Sequence, residues 1–393
     1  MNSDPVVILS ARRTPVGAFQ GAFASVTSPQ LGAVAIKAAL ADSGVSNAQV
    51  DEVIMGCVLS AGLGQAPARQ AAIGAGLPSS TTCTTLNKMC GSAMRAVMAG
   101  ADQILAGSAS VVVAGGIESM TNAPYLLPKA RAGFRMGHQE VLDHMFYDGL
   151  QSPWDGQLMG CFADNTAEKY GFTRQMQDEF AAESVRRSLA AINGGQFTAE
   201  IAPVTAKTRK GEVLVSRDET PFTLDIAKIP SLKPSFKKDG TVTAASSSGI
   251  SDGAAALVLA RESFAKANRM KPLARILGYT SFAREPEWFT LAPVGAIRKL
   301  FTQLGWHPGD VDLYEINEAF AVVAMAAMKD LELDHAKLNV NGGACALGHP
   351  IGATGARILT TLIHALRARG KKRGIASLCI GGGEATAVAI ELV

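Results

Sequence analysis

The chain has 393 residues, of which 48% are hydrophobic, 18% charged and 6% aromatic, with a formal net charge of +3. That length suffices for two or three domains with sizeable cores. The small positive excess gives no argument for nucleic acid, and no apolar run approaches the roughly 20 residues that span a bilayer, so neither partner is expected.

In chain order, "MNSDPVVILSARRTP" enters a strand-like run within a few residues, leaving no room for a signal or transit peptide. The C-terminal "AIELV" carries no peroxisomal tripeptide, so a cytoplasmic location is expected. The six cysteines include no Cys-x-x-Cys pair, which argues against both a disulfide framework and a zinc site. Cys57, in "EVIMGCVL", and Cys83 read as structural. Next comes "TTLNKMCGSAMRAVMAGADQIL", where Met94, Val97, Met98 and Ile104 mark a helix face and Cys90 falls at its first turn. Two readings stand for this thiol. It is a small buried hydrophobe, or it is a nucleophile whose pKa the helix N-terminus lowers.

The strand-like "SVVVAGG" follows, running into Glu118. From about Thr121 to Ser247 the character changes to prolines, aromatics and charges, with a helical stretch "TRQMQDEFAAESVRRSLAAI" and the polar "AKTRKGEVLVSRDETPF". This reads as an inserted lid domain over a rigid scaffold. The core pattern returns in "GTVTAASSSGISDGAAALVLA", a Gly/Ser loop before a helix or strand of small residues. "PLARILGYTSFA" then echoes the N-terminal strand. "YEINEAFAVVAMAAM" sets Asn317 and Glu318 before an apolar helix, where an N-cap is the bland explanation. "GHPIGATGAR" places His349 in a glycine-studded loop, and glycines let backbone N–H groups approach a substrate. The basic "RARGKKRG" reads as a solvated helix end. The strand "IASLCIGGGEATAVAIEL" ends the chain, with Cys379 before three glycines but without dinucleotide spacing.

The two halves repeat one plan: a loop with a reactive side chain, a helix, then a buried strand ending in glycines. That is the mark of an internal duplication of α/β units. Two cysteines, a histidine and an asparagine on glycine-rich turns then form one constellation. The stretches "NKMCGSAMRAV", "GGIESM", "NEAFA", "NGGACALGHPIGATGAR" and "CIGGG" resemble the thiolase family, and the likeness runs from "ARRTPVGAFQG" to "CIGGGEATAVAIE".

That resemblance implies a duplicated, five-layered α/β/α/β/α core with an inserted loop domain, assembled as a homo-oligomer, a dimer or tetramer. The expected division is residues 1–120 with 248–270 as the N-terminal half, 121–247 as the insertion, and 271–393 as the C-terminal half. It also implies thiolysis of 3-ketoacyl-CoA by CoA, or the reverse Claisen condensation, with CoA thioesters as substrates and no cofactor or metal. Acetyl-CoA C-acetyltransferase is the leading reading. A broader-chain 3-ketoacyl-CoA thiolase and a non-catalytic CoA- or lipid-binding relative are the alternatives. Carbon–carbon bond chemistry beside a thioester needs a nucleophile, an α-carbon acid/base and two oxyanion sites. By the resemblance, Cys90 carries the acyl group, His349 activates it, and Cys379 moves the α-proton. Asn317 positions a water for the enolate oxyanion hole, while the amides of Cys90 and Gly381 form the other.

Ser248, Leu150, Met159 and Phe320 are the implied contacts to the pantetheine arm. The chain departs from the family's pattern at Leu158, where acetoacetyl-specific members carry His, and at Ala245-Ser246, where Gly-Asn is usual. Asp218-Glu219 is followed by Thr220-Pro221-Phe222 rather than by an arginine near the nucleotide. Lys207, Arg209, Lys210 and Lys228 are the candidate replacements. Cys379 argues against a β-ketoacyl synthase, and the missing dinucleotide fingerprint against a nicotinamide oxidoreductase.

Overall fold

The structure, a computed structural model, describes residues 4–208 and 211–393. The N-terminal half supplies strands β1 (Val6–Arg13), β2 (Glu52–Gly56), β3 (Thr82–Leu86), β4 (Val111–Ser119) and β5 (Ser251–Arg261). Its helices are α1 (Ser28–Ser43), α2 (Pro67–Gly74) and α3 (Ser92–Ala106). The insertion carries α4 (Met159–Tyr170) and α5 (Arg174–Asn193). The C-terminal half supplies β6 (Ala274–Ala283), β7 (Leu313–Ile316), β8 (Arg373–Ile380) and β9 (Glu384–Leu392), with α6 (Ala292–Leu304), α7 (Ala321–Leu331) and α8 (Thr354–Ala368).

Local chemistry sets the ends of these elements. Thr27 and Gln30 close a capping box on α1, and Gly44 ends that helix at φ +74°. All nine residues of β4 are buried, as expected of a strand covered on both faces. The sheet order is β7-β8-β9-β6-β1-β5-β4-β2-β3. The duplication is visible in that order, since β2-β4-β5-β1 corresponds to β7-β8-β9-β6. Both sets contain one parallel pair followed by two antiparallel ones. The halves join edge to edge where Val7 and Ile8 of β1 face Arg275 and Ala274 of β6.

Three apolar cores hold the five layers together, the middle one enclosing the central helix layer on both sides. Leu31, Ile36 and Ala71 of α1 and α2 pack on Val53 and Val113 of the outer N-terminal face. Met94 and Val97 of α3 meet Ile358 and Leu362 of α8 in the middle, between the two halves of the sheet. Ile297 and Leu300 of α6 and Val323 of α7 cover the outer C-terminal face. Fully burying each such Leu or Ile contributes roughly 1.5–3 kcal/mol.

Two sequence expectations are resolved here. Residues 251–261 form a strand rather than a helix, and the C-terminal apolar run is an antiparallel hairpin that folds back at Gly381–Gly383. The insertion packs into the C-terminal core through Phe162, Ala163, Ala167 and Phe180. It is also tied to the N-terminal half, among other bonds, by the buried Arg13, which donates to Asp218 at 2.6 and 2.9 Å and to Glu200. The short hairpin of Tyr125–Leu126 and Leu142–Asp143 leaves Tyr125, Leu127, Phe134, Met136 and Val141 exposed. Among the described residues no helix is long and apolar enough to cross a membrane, and no cluster of three or more His, Cys, Asp or Glu side chains is arranged to hold a metal ion.

Candidate active site

The turn between β3 and α3 is built by its own side chains. Asn87 Oδ1 accepts from the Met89 amide at 2.9 Å, and Ser92 Oγ accepts from the Lys88 amide at 2.8 Å. Met89 adopts φ +47°, a left-handed conformation that non-glycine residues hold only where the surroundings enforce it. Gly91 is the N-cap of α3, so Cys90 stands just ahead of the helix rather than in its first turn.

The amide N–H groups of Gly381 and of Cys90 itself face the Cys90 sulfur closely enough to favour its anion. They do not lower its pKa below the ordinary value. Burial outweighs them and pushes the thiol up to about 11, with a further push from Glu118. The direction is opposite to the lowering expected at a helix start, because desolvation of the sulfur outweighs the two amides and favours the neutral thiol.

His349 precedes α8 in a loop that is tied on several sides. Its amide donates to Gly249 O at 3.0 Å and to Ser251 Oγ at 3.2 Å. Its ring Nδ1 lies 2.6 Å from Thr354 Oγ1, and that hydroxyl donates to Pro350 O at 2.9 Å. With the hydroxyl proton committed to a carbonyl, Thr354 accepts from Nδ1–H, which leaves a lone pair on Nε2. Burial, with Arg357 adding to it, pushes the imidazole down to about 3. His349 is therefore a neutral base.

Asn317 Nδ2 lies 3.5 Å from His349 Nε2, while its Oδ1 is buried without a hydrogen-bond partner among the described residues. Asn317 is not a helix cap, since Phe320 holds that position on α7. Glu318 turns the other way, accepting from Ser184 Oγ, Asn339 Nδ2 and the Cys345 amide. Its part is structural.

Cys379 is fully buried near the end of β8, its thiol pushed well above the ordinary value by burial and by the neighbouring Cys90. The glycines after it permit a turn closed to other residues. Gly382 and Gly383 have φ of +98° and +93°, and a Cβ on Gly383 would sit 2.3 Å from Arg284 O. The same spacing brings Cys379 beside the nucleophile turn, where a Cβ on Gly91 would strike Ile380. Lys88 and Glu384 also pair across these two loops.

One cavity opens onto His349. Of the residues expected from the sequence it is lined by His349, Ser248, Leu150, Met159 and Phe320, while Cys90, Asn317, Cys379 and Gly381 are not part of its lining. Cys90 packs against the apolar cluster that includes the wall residues Met120 and Ile351, and Met159 lies beside Gly381. Sequence reasoning did not single out Met120, Phe146, Phe236, Ile250 or Ile351, which line the same cavity, nor Thr354 behind His349. Phe236 stacks edge-on against Phe320 from a loop with no periodic signal, so nothing in the sequence marked it. Lys207 and Lys228 are exposed and neither lines the cavity, while Arg209 and Lys210 lie outside the described residues. The arrangement presents a thiol facing two amides, a neutral base and a second thiol in an apolar pocket, which suits covalent acyl transfer.

Comparison with known proteins agrees with that chemistry. Residues 6–263 match the family described as "Thiolase, N-terminal domain", and residues 270–392 match "Thiolase, C-terminal domain". A protein named acetyl-CoA acetyltransferase from Escherichia coli (strain K12) is 51% identical over 387 residues, covering 98% of each chain. The crystal structure of the Bacillus anthracis acetyl-CoA acetyltransferase superposes with a TM-score of 0.97 at 44% identity, covering 99% of both chains. That of the Acat5 thiolase from Ascaris suum in complex with coenzyme A gives 0.94 at 42%, covering 99% of this chain and 100% of that one. With both domain matches spanning nearly its whole length, and with relatives about half identical over almost every residue, the chain belongs to the thiolase family.

Proposed function

We propose that this thiolase is an acetyl-CoA C-acetyltransferase, joining two acetyl-CoA molecules or cleaving acetoacetyl-CoA with CoA. The observation that carries the proposal is the pairing of Cys90 with Gly381 and Cys379, and of Asn317 with His349, which lines an apolar cavity.

In the condensation direction, the Cys90 sulfur attacks the thioester carbonyl of the first acetyl-CoA as its proton passes to His349 Nε2. The carbonyl oxygen becomes an oxyanion in reach of the Cys90 and Gly381 amides, which are fixed before reaction and cost no reorganisation. Collapse expels CoA, which takes the proton back from His349 and leaves an acetyl group on Cys90. The Cys379 thiol then gives its proton to His349 Nε2 as its sulfur takes an α-proton from the second acetyl-CoA. Its enolate oxygen accepts from the now protonated His349 Nε2 and from a water on Asn317, whose unpartnered Oδ1 supports that role. The enolate carbon attacks the acetyl-enzyme carbonyl, Cys90 leaves as its sulfur takes the proton back from His349, and acetoacetyl-CoA departs. Thiolysis is the same path reversed. The neutral resting states of Cys90 and His349 mean that proton transfer accompanies attack and does not precede it.

Ser248, Leu150, Met159 and Phe320 are assigned to the pantetheine arm, which fits an apolar channel with a few polar groups. CoA thioesters are substrates in this scheme, and no cofactor or metal takes part. A homotetramer, or a dimer at the least, and a cytoplasmic location complete the reading. The exposed apolar side chains of residues 125–141 support assembly, and two working thiols among six free cysteines suit a reducing compartment. CoA-dependent loss of acetoacetyl-CoA, set beside longer 3-ketoacyl-CoA substrates, tests the activity. Rapid turnover of acetoacetyl-CoA alone supports the acetyl reading, preference for longer chains replaces it with a broader thiolase, and no turnover favours a binding protein.

A further inference from the structure

The "GGIESM" motif ends β4 on a buried carboxylate that the reaction above does not use. Glu118 is fully inaccessible, and its oxygens accept three backbone N–H bonds: from Val58 at 3.1 Å, Leu59 at 3.1 Å and Gly352 at 2.8 Å. Gly352 belongs to the loop that carries His349. Val58 belongs to the loop after β2, and its carbonyl accepts from Asn87 Nδ2 at 3.4 Å. Asn87 in turn accepts from the Met89 amide at 2.9 Å, next to Cys90. A continuous path of four hydrogen bonds therefore runs from the nucleophile's turn to the base's loop, through one peptide unit and two side chains.

We infer that Glu118 and Asn87 are positioning residues, which together set the alignment of Cys90 with His349. The need for them is topological. Cys90 comes from the N-terminal half and His349 from the C-terminal half, and no short chain segment fixes one against the other. Close packing makes the path stiff. A Cβ on Gly116 would sit 2.1 Å from Gly352 O, and a Cβ on Gly352 would sit 2.6 Å from Glu118 Oε2, so the His349 loop lies flush against the end of β4. On its other side the same loop is held by Ser251 and Gly249. Burial pushes the Glu118 carboxyl up to about 7, aided by Asp252, while the amides of Leu59, Val58 and Gly352 pull it down. Such a group is costly to bury, and its hydrogen-bond partners are confined to the His349 loop and to the segment after β2 that in turn meets Asn87.

The proposal rests on the thiolase reading, and its test separates the two. The full chain is assayed for thiolysis of acetoacetyl-CoA as wild type, Glu118→Gln, Asn87→Asp, the double variant and Glu118→Asp. Glu118→Gln turns one acceptor into a donor facing N–H groups, and Asn87→Asp removes the donor to Val58 O. Each is expected to lower kcat by about 10²-fold, the effect of a misplacement near 1 Å, with KM for CoA unchanged. The double variant should lose no more than the worse single one, because both act on one path. Glu118→Asp should recover part of the loss. Wild-type kcat in folded Glu118→Gln, or losses that multiply in the double variant, overturn the inference. Should Glu118→Gln not fold, Asn87→Asp decides alone, since Asn87 is exposed, and an unchanged kcat there overturns it. Absence of wild-type turnover would instead count against the thiolase reading itself.

Discussion

Alkylation of Cys90 by iodoacetamide is expected to be slow at neutral pH and still rising at pH 9.5. Only the thiolate reacts, and burial holds the Cys90 thiol at about 11. At pH 7 that leaves roughly one sulfur in 10⁴ ionised, against about 3% for a free cysteine of pKa near 8.5. Cys90 should therefore react about 300-fold more slowly than a free thiol at pH 7. Its logarithmic rate should climb by about one unit per pH unit from 6.5 to 9.5 without levelling. The same shift has a sign in folding. Between the unfolded and folded pKa values the native state keeps a proton that the unfolded chain has lost, so this thiol's contribution to stability falls as pH rises through that window. The assay is timed alkylation followed by mass spectrometry of the peptide containing Cys90, with Cys90→Ala as the control for the other five cysteines. A rate that plateaus near pH 8, or equals that of a free thiol at pH 7, would refute the reasoning. It would mean that a thiolate–imidazolium pair forms before substrate binds, against a His349 held neutral by burial.

Cys379→Ala should still accumulate acyl-enzyme on Cys90 from acetyl-CoA while losing condensation, because only the second half-reaction needs an α-carbon base; near-normal turnover would remove Cys379 from that role. Arg13→Met should destabilise the fold by about 3–5 kcal/mol in a chemical denaturation midpoint, since it strands the buried Glu200 and Asp218 carboxylates. A loss under 1 kcal/mol would show that these carboxylates find other partners. Leu158→His, at a cavity wall shared with Phe146 and Met120, should shift the kcat/KM ratio of acetoacetyl-CoA to 3-ketohexanoyl-CoA about tenfold toward the shorter substrate. No change in that ratio would show that Leu158 does not contact the acyl chain.

Much of the architecture was legible because apolar periodicity reports burial directly. The helix of Met94, Val97 and Met98, the strand "SVVVAGG" and the echo between "DPVVILSARRTP" and "PLARILGYTSFA" all reappear, and the sheet order displays the duplication they implied. Periodicity could not separate helix from strand at residues 251–261, where alanines and glycines satisfy both patterns, and it ran two strands together across Gly381–Gly383. Local pattern also misjudged electrostatics. The position of Cys90 beside a helix start argued for a lowered pKa, yet the low dielectric that folding builds around the sulfur reverses the direction.

The sequence by itself determined the residue types of the site and the turns that carry them, because a thiol, an imidazole and left-handed glycines are local properties. Tertiary structure alone decided their relations. Thr354 sets the tautomer of His349 from five residues away, Phe236 meets Phe320 from a distant loop, and Glu118 ties the two halves at backbone amides that carry no side-chain signature. Backbone N–H groups are identical in every residue but proline, so which of them will face a sulfur or a carboxylate is known only once the chain is packed.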